Sequence, residues 1–308
     1  MPSDQLIVVI RTIQERTFDA CKALVVKQIP EQLVYVVSEQ PFEAALRCCY
    51  QIGIDSGVKW MMTLDADVLL REGAVEAFLS EAERLPPYYL QMEGLVFDKF
   101  MGIYRKAGHR MYRTQYLSKA LQCIPPERVE IRPEYATLQK MEALGFPSME
   151  IQTVFGIHDY EQYYVDIYRK AFVHANKHSE WITHLIERWK AQASHDFDYL
   201  IALRGLYDGL MSLTQACIDR RDYIEGAHRA LEELGIREKT APTVEQIDFL
   251  LVKSILNQVG PIPLDTSKIT PVQRLKNQYQ RLGLFRLIPY LFGAILSRAG
   301  EQLKTSVT

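Results

Sequence analysis

The sequence predicts an α/β fold in its first half, a mixed sheet with flanking helices, followed by a mainly helical C-terminal region. Three observations carry this. Apolar runs at 6–10, 33–37 and 59–64 alternate with two helix-like stretches, the β-α-β-α-β order of a sheet whose first strands are parallel and covered on both faces. The first run, Leu6-Ile7-Val8-Val9-Ile10, is rich in β-branched residues and contains no polar residue, as expected of a strand buried on both sides. From Glu161 onward the apolar residues instead recur at helical spacing, with Trp181, Leu185 and Trp189 on one face. The chain therefore divides into 1–160, carrying the sheet, and 161–308, carrying the helices.

Taken in order, the first strand gives way to the polar turn Arg11-Thr12-Ile13-Gln14-Glu15 and then to a helix reaching about Lys27, with Ala20 and Leu24 toward the sheet. The second strand ends at Ser38-Glu39-Gln40, and Pro41 suits the first position of a helix over 42–54. The third strand ends in Asp65-Ala66-Asp67. Open sheets of this kind gather ligands at the carboxyl ends of their strands, so topology alone brings Arg11-Thr12, Ser38-Glu39 and the two aspartates together. In an extended segment Asp65 and Asp67 share one face. Two carboxylates so placed suit Mg²⁺ or Mn²⁺ carrying a diphosphate. No glycine-rich loop follows the first strand, which argues against a dinucleotide fingerprint or a P-loop.

A helix over 72–85 is stopped by Pro86-Pro87, and extended stretches follow at 88–98 and 102–104. Gly108-His109-Arg110-Met111-Tyr112-Arg113 leads into a short helix near 115–121. Arg132-Pro133-Glu134 opens a helix over 135–144 that Gly145 ends, a strand spans 149–154, and Gly156-Ile157-His158-Asp159 follows. In the second half, helices are expected over 198–218 and 223–234, and Thr243 with Gln246 has the capping-box spacing before 247–259. His174 and His178 stand one turn apart but lack an acidic or sulfur ligand at useful spacing, so they read as packing residues. The stretch 268–304, with Thr270 as N-cap and Pro271 behind it, is basic and amphipathic. It is too interrupted to span a bilayer and suits either an anionic membrane surface or packing against protein, a second subunit included.

Composition narrows the field. A net charge of −2 argues against nucleic acid as the main partner. Five cysteines without zinc-like spacing read as free thiols in a reducing compartment. With neither signal-peptide nor transit-peptide patterning at the start, a cytoplasmic location is expected, peripheral on a membrane if 268–304 binds one.

The arginine-and-threonine turn after the first strand, the acid after the second, and the third strand's W-x-x-x-L-D-A-D-V together resemble the nucleotide-sugar domain of GT-A-fold glycosyltransferases, the family 2-like group above all. The resemblance implies that Asp65 and Asp67 hold Mn²⁺ or Mg²⁺ on the diphosphate of a UDP- or GDP-sugar, with Arg11, Thr12, Glu15 and Glu39 around base and ribose. It also implies Glu134 as the general base of an inverting transfer to a hydroxyl of a glycan or lipid-linked acceptor. His158 becomes a metal or diphosphate ligand, and Asp159 the rival base or the partner of His158. The family's usual Glu-Asp pair is replaced here by Arg-Pro-Glu. Three alternatives stand beside this reading. A nucleotidyltransferase acting on a sugar phosphate normally carries a glycine-rich N-terminal loop, and a haloacid-dehalogenase-type hydrolase places its D-x-D after the first strand rather than the third. The third is a degenerate GT-A fold that binds without turnover.

Overall fold

The structure is a computed structural model that describes residues 5–177, 181–212 and 216–262. His178 and the basic stretch 268–304 lie outside the described residues. Eight strands form one mixed sheet: β1 (Leu6–Arg11), β2 (Val34–Val37), β3 (Trp60–Asp65), β4 (Val68–Leu70), β5 (Gln91–Asp98), β6 (Ile103–Arg105), β7 (His109–Arg113) and β8 (Ser148–His158). Their order is β2-β1-β3-β7-β5-β8-β4, with β6 hairpinned onto β5. The β2, β1 and β3 strands are parallel, as the sequence predicts, whereas β7 enters antiparallel to both β3 and β5.

Side-chain alternation along β1 sorts the core into two layers. Leu6, Val8 and Ile10 face the layer of α1 (Phe18–Val26) and α3 (Ala74–Glu83), while Ile7 and Val9 face α2 (Phe42–Ser56), α4 (Leu117–Cys123) and α5 (Pro133–Ala143). The second half supplies α6 (Tyr164–Lys177), α7 (Ile182–Gln192), α8 (Phe197–Met211), α9 (Ile224–Leu234) and α10 (Phe249–Val259). Leu185 and Trp189 are fully buried in the core of α6–α9, as their spacing predicts. Helix α10 does not join that cluster: Val252 packs with the α1 and α3 layer, so the chain returns to the sheet.

Helices α6 and α8 meet closely because Gly205 and Gly209, one turn apart, face the α6 backbone. A Cβ on either would lie 2.4 or 2.5 Å from the carbonyl oxygens of Tyr168 and Phe172. That contact fixes α6, which forms one wall of the site described below.

Several boundaries differ from expectation. Strand β4 follows the D-x-D directly, inside what reads as the approach to a helix. Helix α8 stops at Met211 rather than near 218, and residues 218–220 are held instead by α6 and the loop after β1: Arg169 donates to the Ile218 carbonyl at 3.1 Å and Arg220 to that of Ile13 at 2.9 Å. The Thr243/Gln246 capping box closes a single 3₁₀ turn, and Asp248 caps α10 by accepting from the Leu251 amide at 2.9 Å. Among the described residues no helix is long and apolar enough to cross a membrane.

Candidate active site

A cavity of about 280 Å³ opens at the carboxyl ends of β1, β2 and β3, bounded by the N-terminus of α5 and one face of α6. Arg11, Thr12, Glu15, Glu39, Asp65, Asp67, Glu134, His158 and Asp159 all line it, so the fold does bring the sequence-derived residues to one place. It does not give them the arrangement expected. The expectation that Asp65 and Asp67 lie on one face of an extended strand fails, because β3 ends at Asp65 and Ala66-Asp67 form a turn. Asp65 is still paired with β1, opposite Arg11, whereas Val68 is already paired with His158 of β8. The motif straddles the point where the chain changes neighbours, and its two acids belong to different clusters.

Asp67 lies with His158 and Asp159, whose ligand atoms fall within 4.8 Å of one another. Asp159 adopts φ 59°, a left-handed conformation that Asp tolerates better than most residues, and its amide donates to the Asp67 carbonyl at 3.1 Å. His158 Nδ1 is 3.0 Å from both Asp98 Oδ2 and Asp159 Oδ2, which leaves Nε2 facing Asp67 Oδ1 at 3.5 Å. Asp98, wholly buried, is itself fixed by Arg105 at 2.5 Å and by the Met101 amide at 2.7 Å. A carboxylate that orients an imidazole through one nitrogen and leaves the other free is the usual support of a metal-ligating histidine. Asp67 Oδ1 is buried and has no hydrogen-bond partner. A carboxylate oxygen left in that state is costly unless a cation satisfies it, so the donor set of two carboxylates and one imidazole fits a divalent ion such as Mn²⁺.

In the structure the local positive charge comes from Lys170 on α6, whose Nζ lies 2.5 Å from Asp67 Oδ2 and also bonds Asp159. Against the cost of burial, Lys170 and His158 hold the Asp67 carboxyl below its usual range. His158 and Lys170 hold that of Asp159 well below it. Against the same cost, Asp159 and Asp67 hold the His158 imidazolium up to about 10. Asp159 is thus a fully ionised, doubly engaged carboxylate, poorly suited to act as the rival base.

The second cluster forms around Glu134. Asp65 Oδ1 accepts from Arg11 Nε at 2.7 Å, and Arg11 Nη1 donates to Glu134 at 3.0 Å. Tyr112 donates to Glu134 at 2.8 Å, and Arg110 binds the other Glu134 oxygen while reaching Glu93 at 3.0 Å. Despite burial, Arg11 and Arg110 hold the Glu134 carboxyl down to about 2. Two guanidiniums therefore oppose proton uptake by Glu134 near neutral pH, the condition a general base must meet. Among the described residues the three ligand atoms that converge are those of Asp67, His158 and Asp159, while Asp65 turns to Arg11.

At the β1 and β2 end of the cavity, Thr12 Oγ1 and the Ile13 amide donate to Glu15 Oε2 at 2.7 and 2.9 Å, which folds the loop after β1. Burial and the nearby Asp67 charge raise the Glu15 carboxyl to about 7. Glu39 lines the same end, accepting from the Ser38 amide at 3.1 Å. Sequence reasoning missed Lys170 and Asp98. Asp98 ends a strand as Asp65 does, and Lys170 stands with Arg169, His174 and Lys177 on one face of a helix that is otherwise core, so both signals are present in the sequence.

No family model matches this chain and no curated protein matches it. Solved structures are similar over part or most of it. A mannosyltransferase from Pyrobaculum calidifontis in complex with GDP-Man and Mn²⁺ is 13% identical over 92% of this chain and 85% of its own, with a TM-score of 0.36. A glycosyltransferase involved in glycosylation of the major capsid of PBCV-1 is 14% identical over 48% of this chain and 82% of its own, TM-score 0.36. A CMP:2-keto-3-deoxy-manno-octonic acid synthetase complexed with CTP is 10% identical over 50% of this chain and 92% of its own, TM-score 0.34. The described fold is a mixed sheet flanked by helices with a helical C-terminal part, as the sequence predicts.

Proposed function

We propose that this chain is a glycosyltransferase that moves a sugar from a nucleoside diphosphate to a hydroxyl acceptor with the help of a divalent cation. The observation that carries this reading is the buried Oδ1 of Asp67, which accepts no hydrogen bond and faces His158 Nε2 at 3.5 Å with Asp159 beside it, at the strand ends of a cavity large enough for part of a donor. Asp67, His158 and Asp159 would hold the ion. Its chemistry there is to offset the negative charge that builds on a leaving diphosphate. Lys170, fixed by α6 beside the same carboxylates, places a second positive charge at that point. Thr12, Glu15 and Glu39 offer oxygens to a ribose, and Asp65 acts by setting Arg11 rather than by ligation. Glu134 positions Arg11 and Arg110 and takes no proton.

The test is to incubate the protein with UDP- and GDP-sugars and Mn²⁺, and separately with nucleoside triphosphates and sugar phosphates, and to identify the product by mass spectrometry. Release of a nucleoside diphosphate in the first set supports glycosyl transfer. Pyrophosphate in the second set alone would replace this reading with nucleotidyl transfer.

A further inference from the structure

The cations of the cavity are almost all assigned to carboxylates. Arg11 and Arg110 share Glu134, Arg105 holds Asp98, Lys170 bridges Asp67 and Asp159, and Arg169 and Arg220 flank the buried Asp166 at 3.8 and 3.1 Å. Arg132 and Lys177 line the same cavity, and among the described residues neither makes an ion pair. The Arg132 guanidinium instead lies 4.4 Å over the Tyr135 ring, immediately before α5. Lys177 is the last described residue of α6. Burial, followed by the charges of Arg132, Arg105, Arg169 and Arg110, pushes the Lys177 ammonium down to about 7. Arg132 is exposed and Lys177 half-buried, so among the described residues two cations face the cavity with no carboxylate of their own and are open to an anion from solution.

Resting on the glycosyltransferase reading, we propose that Arg132 and Lys177 form an anion subsite for a phosphoryl group carried by the acceptor. Position along α6 separates this subsite from the donor diphosphate. Lys177 lies seven residues beyond Lys170, two helical turns or about 10 Å along the cavity wall. Lys170, paired with Asp67 and Asp159, marks the end of that wall assigned to the diphosphate, and Lys177 marks the other end. The residues also match the chemistry: a flat guanidinium held against an aromatic ring presents its donors edge-on to phosphate oxygens, and an ammonium adds a point charge. The phosphoryl group could belong to a soluble phosphorylated sugar or to a lipid headgroup, and the recognition is the same for both.

The test titrates inorganic phosphate into the full chain, alone and with Mn²⁺ and saturating UDP or GDP, for wild type, Lys177→Met and Arg132→Met. Wild type is expected to bind phosphate equally well with the nucleotide in place. Each variant should lose about tenfold in phosphate affinity or more, the effect of removing one charge-assisted contact, with nucleotide affinity unchanged. Arg132→Lys, which keeps the charge, should recover part of the loss, and an unaltered Tm excludes misfolding as its cause. Phosphate displaced by nucleotide, or an equal loss of nucleotide affinity in the variants, would overturn the proposal and give these cations to the donor. Equal phosphate affinity in variants and wild type would also overturn it. The titration without nucleotide reads the subsite even if no nucleotide binds, so failure of the donor reading shows separately. Flotation with vesicles of phosphatidic acid in phosphatidylcholine, against phosphatidylcholine alone, separates the sources. Binding that needs both cations points to a lipid headgroup, and phosphate binding without vesicle binding points to a soluble acceptor.

Discussion

Replacing Glu134 with glutamine separates a structural carboxylate from a catalytic one. The side chain is 9% exposed and accepts from Arg11, Arg110 and Tyr112. Glutamine keeps the shape and an oxygen for Tyr112, but it turns an amide NH₂ toward one of the two guanidiniums. Neither arginine is stranded, since Arg11 retains Asp65 and Arg110 retains Glu93, so the loss falls at or below the range for breaking a buried pair. Depression of the carboxyl from its usual 4.5 to about 2 corresponds to about 3 kcal/mol of folding free energy near neutral pH. The sign follows from the direction of the shift. With the folded value depressed, the contribution is complete above about 4.5 and is lost as pH falls toward 2. Scanning calorimetry at pH 7 should therefore show Tm lowered on the order of 5 °C in the variant. Between pH 5 and 3 the two proteins should converge, because only wild type still has this charge to lose. Equal stability at pH 7, together with abolished transfer and a missing acidic limb in the pH–rate profile, would refute this reasoning and restore Glu134 as the base.

Three further outcomes are expected. Lys170→Met removes the ammonium between Asp67 and Asp159, so the variant should melt below wild type without an ion and gain more Tm from added Mn²⁺ than wild type does. A smaller gain would place Lys170 outside the ion site. Asp67→Asn should abolish ion-dependent nucleotide binding while the circular dichroism of the folded chain is kept, since Asp159 still pairs Lys170. Retained ion dependence would remove Asp67 from the ligand set. Gly108 sits at φ +67°, where an added Cβ would lie 2.5 Å from Val68 Cγ2 and 3.2 Å from His158 Cδ2. Gly108→Ala should cost about 1–2 kcal/mol in chemical denaturation from the left-handed backbone alone. By shifting His158 it should also weaken ion binding about tenfold in calorimetry.

What the sequence makes legible is what neighbouring residues decide. The three parallel strands announce themselves because each is a short, mainly apolar run, and their polar ends mark the ligand edge as the topology requires. The D-x-D is visible for the same reason. That its acids separate is not visible, because the separation is imposed by β8, a strand some ninety residues further on that captures Val68 while β1 keeps Asp65. The surroundings of Glu134 are hidden in the same way: its position at a helix N-terminus is local, but the guanidiniums that pair with it come from β1 and β7. Lys170 could have been suspected from an uncompensated cationic face on a buried helix, although its partners lie up to 103 residues away. The capping box between Thr243 and Gln246 forms as spelled, with the Thr243 amide donating to Gln246 Oε1 at 3.0 Å. It closes only one turn, because Asp248 offers a second N-cap two residues later.

A divalent ion held by Asp67, His158 and Asp159 would in turn bind a nucleoside diphosphate. The most direct measurement is isothermal titration of UDP and of GDP into the protein with and without Mn²⁺, repeated on Asp159→Asn. One nucleotide is expected to bind only with the ion present and to lose that ion-dependent binding in the variant. Binding that is equal with and without Mn²⁺, or no binding of either nucleotide by the wild-type protein, would contradict it.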